Sequence, residues 1–279
     1  MNFNGPQHRL VDTDLPRIGA LIGCGEDEIH AFLDVETRGG GYDRQGRPKM
    51  LFEPHKFYGH TSGKARARAV AAGLAYPNWG EKPYPADSYP RLLAATEIDA
   101  EAALKSASWG IGQVLGENHV AAGYDTVEAM VRGFVDLGEA EQLEAAVRFI
   151  KANRLDDELR THNFAAFARG YNGPLYAEHG YHLKLAAAFK KWAAIRDTPW
   201  SPTIEQSLRM AVNATPDHPV VASPAILAAN GEPIVVKRAA PPDPASKPAI
   251  LVDPAAAKPS PEGFFASFWR GLAALTKGA

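Results

Sequence analysis

At 279 residues, with 46% hydrophobic and 22% charged side chains, the chain has the composition of a globular protein large enough for one sizeable domain and a tail. A formal net charge of −2 gives no reason to expect a nucleic-acid partner, though a local basic patch could still meet a polyanion. The single cysteine, Cys24, excludes an intrachain disulfide; between two glycines it reads as a buried or loop thiol, not a nucleophile.

The start, Met1 to Gln7, lacks a basic region followed by an apolar run, so no secretory signal is expected. No segment reaches the ~18 apolar residues of a membrane span. The chain is therefore expected to be made and held in the cytoplasm. Leu15, Ile18, Leu21 and Ile22 predict a short opening helix, with Asp14 as its cap and Pro16 in its first turn. Ile29, Phe32, Leu33 and Glu36 then fall at i, i+3, i+4 and i+7 and share one side of a second helix, which Gly39, Gly40 and Gly41 end. An acid on an apolar helix face at a chain reversal is a working group or a frayed end with Glu36 solvated. Removal from water penalises the anion, so a sheltered Glu36 would keep its proton near neutral pH, as a general acid for a glycosidic bond requires.

Residues 42 to 52 read as two extended arms around a turn at Gln45-Gly46, and helical patterns resume at Lys56 to Tyr58 and Lys64 to Ala72. An irregular Pro/Trp/Tyr-rich stretch runs from Tyr76 to Pro90. Helices are expected over Asp99 to Ser106 and Thr126 to Leu137, the latter opened by a capping box of Asp125 and Glu128. Another covers Glu139 to Asn153, with Leu143, Ala146, Val147 and Ile150 on one side. Tyr181, Leu185, Phe189 and Trp192 stripe the last long helix. Beyond about Ala194, prolines and alanines predict a largely extended linker over 196–262, with short ordered pieces near Thr203 to Val212 and Ile234 to Val236. Over 263–279, Phe264, Phe265, Phe268, Trp269, Leu272 and Leu275 share a helical face beside Arg270 and Lys277. That segment is read either as an interfacial helix contacting a membrane through Phe264, Phe265, Phe268 and Trp269, or as a helix packed on the main domain; it is too short to span.

Three patterns occur in order: Glu36-Thr37 at its helix end, Ser108-Trp-Gly110-Ile-Gly112-Gln113, and Tyr171-Asn172-Gly173-Pro174. Gly110 and Gly112 allow close approach of a ligand or another backbone, and the Gln113 amide can both donate and accept to sugar hydroxyls and acetamides. Tyr171 and Asn172 close a helix before Gly173-Pro174, which would leave both at a surface suited to a saccharide. Each has an ordinary reading too: turns at the glycines, a capping role for Gln113, a left-handed C-cap for Asn172.

In that order the motifs resemble the lysozyme-like superfamily, close in logic to goose-type lysozymes and lytic transglycosylases. Over a longer span the chain is similar to the N-acetylmuramidase family of phage and prophage endolysins. The matching runs are Glu36 to Asp43, Gly46 to Tyr58, Ala107 to Val114, Glu117-Asn118-His119 and Phe167 to Tyr176, within roughly residues 10 to 195. The resemblance implies a mainly α, lysozyme-like domain over 1–195 with a small β-hairpin wing. It implies cleavage of the β-1,4 bond from N-acetylmuramic acid to N-acetylglucosamine in peptidoglycan, by a monomer without cofactor or metal, released from the cytoplasm to act in the periplasm and wall. Glu36 would be the general acid; Thr37, Gln113, Tyr171, Asn172 and Tyr58 would line the sugar site.

For a second catalytic group Asp43 and Glu53 are the candidates. Glu53 could instead pair with Arg47 or Lys49, and Asp43 could merely start the turn. Two other functions stand beside hydrolysis: a lytic transglycosylase, leaving a 1,6-anhydro end, and a non-catalytic wall-binding protein. A zinc peptidase is not expected, because His55 with His60, and His179 with His182, lack the glutamate of a His-Glu-x-x-His helix.

Overall fold

The computed structural model describes residues 1–36 and 40–203, the Glu36 side chain excepted. Thr37 and nearly all of the Pro/Ala-rich tail, with its expected terminal helix, lie outside the described residues. The elements run in the order α1 (Asp14–Gly19), α2 (Glu26–Glu36), β1 (Met50–Phe52), α3 (Pro54–His60), α4 (Gly63–Ala71), α5 (Tyr89–Thr96), α6 (Ala100–Lys105), β2 (Ala107–Trp109), β3 (Val114–Leu115), α7 (Val127–Asp136), α8 (Glu139–Ala152), α9 (Asp156–Arg160), α10 (Phe164–Asn172) and α11 (Tyr181–Trp192). The mainly α class with a small β wing is what the sequence led us to expect.

Amphipathic stripes account for the longer helices. Val127, Met130, Val131 and Phe134 of α7 are buried, as are Leu143, Ala146, Val147 and Ile150 of α8. Two expected caps move by one residue. Thr126, not Asp125, caps α7, its hydroxyl accepting from Ala129 N at 3.1 Å. A side chain at the N-cap reaches the third amide beyond it, and that spacing fits Thr126. Asp14 is the first residue of α1 rather than its cap, and its carboxylate accepts from Val11 N at 2.9 Å. Asp99 does cap α6, accepting from Ala102 N at 3.0 Å.

The wing is larger than a hairpin. Tyr42 bridges Pro48 around the Gly46 turn, where φ is 78°, as anticipated. The chain then continues into β1, which pairs antiparallel with β2 (Leu51 opposite Ser108), and β2 pairs with β3 (Trp109 opposite Val114). Gly110 to Gln113 turns the second pair, with Gly110 at φ 71° and Gln113 itself left-handed at φ 47°. Both the backbone N–H and the side-chain Nε2 of Gln113 donate to Gly110 O, at 3.2 and 2.8 Å, which holds the unusual backbone in place.

One hydrophobic core joins wing and helices. Trp109, Phe32, Phe134, Phe167 and Tyr171 are among its fully buried side chains. The N-terminal segment belongs to it: the Phe3 ring lies 5.1 Å from Tyr89 and 5.8 Å from Trp109. Among the described residues no helix is long and apolar enough to cross a membrane.

Candidate active site

The second and third motif segments come together, and α2 joins them through Phe32. Phe32, one turn before the last residue of α2, meets the Tyr171 ring edge-on at 5.3 Å. Tyr171 stacks on Phe167 at 5.4 Å, and its hydroxyl donates to Gly112 O at 3.3 Å. The end of α2, the β2–β3 turn and the end of α10 are thus fastened to one another through a single tyrosine. That tyrosine is not at a surface: Tyr171 is 0% and Asn172 1% exposed. The expectation of an exposed aromatic–amide pair is corrected. The end of α10 is covered by α2, by Phe149 of α8 and by the β2–β3 turn, so burying the ring joins three elements. Gln113 is buried as well; its amide NH₂ is committed to Gly110 O, and its Oε1 has no hydrogen-bond partner among the described residues.

Glu53 closes β1 and caps the approach to α3 with its backbone carbonyl. Its side chain is 1% exposed, and Oε1 accepts from the Ser108 hydroxyl of β2 at 3.0 Å. The His55 ring nitrogen Nε2 stands 3.7 Å from Oε2. Arg47 is not its partner, because that guanidinium is taken by Asp43 and Asp87 and lies 3.9 Å over the Tyr89 ring. Asp43 is the anchor of its turn, accepting from the N–H groups of Gln45 and Arg47, each at 2.9 Å, and from Arg47 Nε at 2.7 Å. A carboxylate so engaged has its acceptor positions filled. Tyr58 is half-buried on α3 under the Arg66 guanidinium, 4.4 Å away. Thr37 lies outside the described residues.

Two residues not singled out from sequence bracket this region. Glu139, buried at the start of α8, accepts from Gly41 N at 2.6 Å, from Leu10 N at 3.1 Å and from Arg9 Nη1 at 2.7 Å. Gln142, one turn on, accepts from Ile111 N at 2.9 Å and donates to Phe134 O at 3.2 Å. A Cβ at position 41 would collide with the Gln142 amide oxygen, so only glycine allows this approach. One face of α8 therefore ties down both the segment that follows Glu36 and the β2–β3 turn. Glu139→Ala would orphan two amide donors, and we expect it to cost about 2–4 kcal/mol in urea unfolding, with Glu139→Gln costing less because an amide oxygen still accepts.

His55 and His60 have structural surroundings. His60 and Lys56 both bind Glu117, each at 2.8 Å. Burial works against the Glu117 anion, but these two partners outweigh it and bring its pKa down to about 2. Burial, with a smaller contribution from Lys56, pushes His55 down to about 4. Unfolded, His55 regains its ordinary value of 6.5, so between about 6.5 and 4 the unfolded chain binds the extra proton and stability falls as pH falls. Glu117 adds a second loss as pH drops from 4.5 toward 2. Thermal unfolding followed from pH 7 to 4 should show a falling midpoint, and His55→Asn should flatten it. Burial also raises the Cys24 thiol to about 12, in keeping with an inert buried group. Among the described residues no cluster of His, Cys, Asp or Glu could hold a metal ion.

The profile of the N-acetylmuramidase family matches residues 26–193, from the first residue of α2 to just past α11. No match is found among curated proteins. Among solved structures the chain is similar to the crystal structure of the Burkholderia AP3 phage endolysin. The two are 36% identical with a TM-score of 0.63, over 68% of this chain and 73% of that one. The family match spans all three motifs and the acid-bearing helix, and the chain belongs to the N-acetylmuramidase family, glycoside hydrolases of peptidoglycan.

Proposed function

We propose that this muramidase works as an endolysin in which Glu36 protonates the glycosidic oxygen and Glu53 takes the proton of the attacking water. The bond cut is the β-1,4 link from N-acetylmuramic acid to N-acetylglucosamine. Its main support is the meeting of three segments that are far apart in sequence: the end of α2 through Phe32, the β2–β3 turn through Gly112, and the end of α10 through Tyr171. Glu36 is the last residue of α2, and a glutamic acid there would serve as the general acid of the family's reaction. Glu53 stands on the wing, where its Oε1 accepts from the Ser108 hydroxyl at 3.0 Å, which fixes the direction of the carboxyl. An acid and a base on two carboxyls are what acid–base cleavage of a glycosidic bond uses.

Gln113, Tyr171 and Asn172 then act chiefly as the frame that fixes the turn and the helix end. Incubating the full chain with purified peptidoglycan and analysing the soluble fragments by mass spectrometry tests the proposal. Fragments ending in a reducing N-acetylmuramic acid are expected. A 1,6-anhydro end, or release of free peptides from an intact glycan, would overturn it.

A further inference from the structure

A groove of ≈ 790 Å³ runs between α4 and the loop from Tyr76 to Lys82. Tyr58, Tyr76 and Pro77 supply apolar walls, and Arg66 and Lys82 supply positive charge. It begins close to the proposed base, because Tyr58 is one turn along α3 from the residue after Glu53. Burial raises the Tyr76 hydroxyl above its ordinary value, the charges of Glu81 and Glu53 add to that, and Arg91 opposes it. The groove and Glu53 are thus within electrostatic reach of each other.

Three features give the groove the character of a built anion site. Arg66 is pre-set: its Nε donates to Thr61 O at 2.8 Å, Nη2 bonds the same carbonyl, and the guanidinium lies on the Tyr58 ring. Its Nη1 enters none of these bonds. Tyr76 is 5% exposed, so its ring is a fixed wall of the groove rather than a loose side chain. Finally, two cations line the groove, Arg66 from α4 and Lys82 from the facing loop, in a chain whose net charge is −2. Glu81, the acid that lines the groove, is taken up by the Asn78 N–H and side-chain amide.

Resting on the muramidase function proposed above, we infer that this groove binds a carboxylate-bearing peptide stem of peptidoglycan. The alternating aminosugar backbone is largely uncharged and has little use for a fixed guanidinium. The peptide hanging from each muramoyl lactyl group carries free carboxylates and apolar side chains, which match a cationic groove with tyrosine walls. A stem held here, beside the second carboxyl, would fix the register of the strand so that a muramoyl residue, not its neighbour, meets the acid.

The full chain is assayed for release of reducing ends from purified peptidoglycan and from the same glycan stripped of its stems by an amidase. The stem-bearing strand is expected to have a KM lower by about tenfold, as one or two charge-assisted hydrogen bonds provide. In the Arg66→Ala/Lys82→Ala double variant, with its melting temperature checked, that ratio should collapse toward one. Independently of turnover, the amidase-released stem tetrapeptide should shift the Tyr58 and Tyr76 ring resonances of the wild-type chain in an NMR titration. Equal KM values in the wild type, a ratio that survives the double variant, or rings that respond to inorganic polyphosphate but not to the tetrapeptide would each overturn the inference. Failure to release reducing ends from either substrate would instead refute the hydrolase reading, with the titration still deciding the groove.

Discussion

Replacing Glu36 with glutamine is expected to lower wall lysis by about 10²–10⁴-fold with the fold unchanged. Glutamine keeps the shape of the side chain and the helix propensity of its position, so α2 should still close at residue 36. What it removes is the proton that must reach the leaving oxygen as the glycosidic bond breaks. Nothing on the face of α8 compensates: Glu139, which holds Gly41, is already engaged by Arg9, Leu10 and Gly41. The measurement pairs turbidity clearing of purified walls with a thermal melt of the same preparation. Wild-type clearing by the glutamine variant would place the acid elsewhere. A lowered melt together with lost activity would leave Glu36 as part of the scaffold, and Glu36→Asp would then fail equally in both assays.

Much of this arrangement could be read in advance where a long pattern carried it. The stripe ending at Glu36, the buried side of α8 and the stripe of α11 are helical periods sustained over several turns. The strands of the wing were harder. β2 and β3 have three and two residues, all buried, so no alternation of polar and apolar side chains could announce them. Gly110 and Gly112 marked a close approach, yet the partner, α8, comes from further along the chain, with Gln142 lying 31 residues beyond Ile111. The reasoning that singled out Glu36 would also have found Glu139 and Gln142. They fall on the same face as Leu143, Ala146 and Ile150, polar groups in an apolar stripe. They were passed over because they lie in no local motif, although a buried carboxylate must find donors wherever it sits. The burial of Tyr171 and Asn172 was hidden for the opposite reason. A helix end before Gly-Pro looks like a surface, and only tertiary packing by Phe32 and Phe149 covers it.

Glu53→Gln is the sharper test of mechanism, and it should lower kcat by about 10²–10⁴-fold with little change in KM. The side chain is 1% exposed and bonded to Ser108, so it is a group the fold has gone to some trouble to place. A purely structural carboxylate at this position would be served almost as well by an amide, whose oxygen still accepts from Ser108. The substitution therefore separates the two roles: it preserves the hydrogen bond and removes the charge. A large drop in kcat with an unchanged melt means that the anion itself is used, which is what activation of a water on the far side of the sugar requires. Ser108→Ala is the companion: it keeps the carboxylate but removes the donor that fixes its direction, so a smaller loss of kcat is expected. If Glu53→Gln cleaves at the wild-type rate while Glu36→Gln is dead, hydrolysis proceeds with one essential acid and a water positioned by other groups. Glu53 would then be an internal strut between β1 and β2.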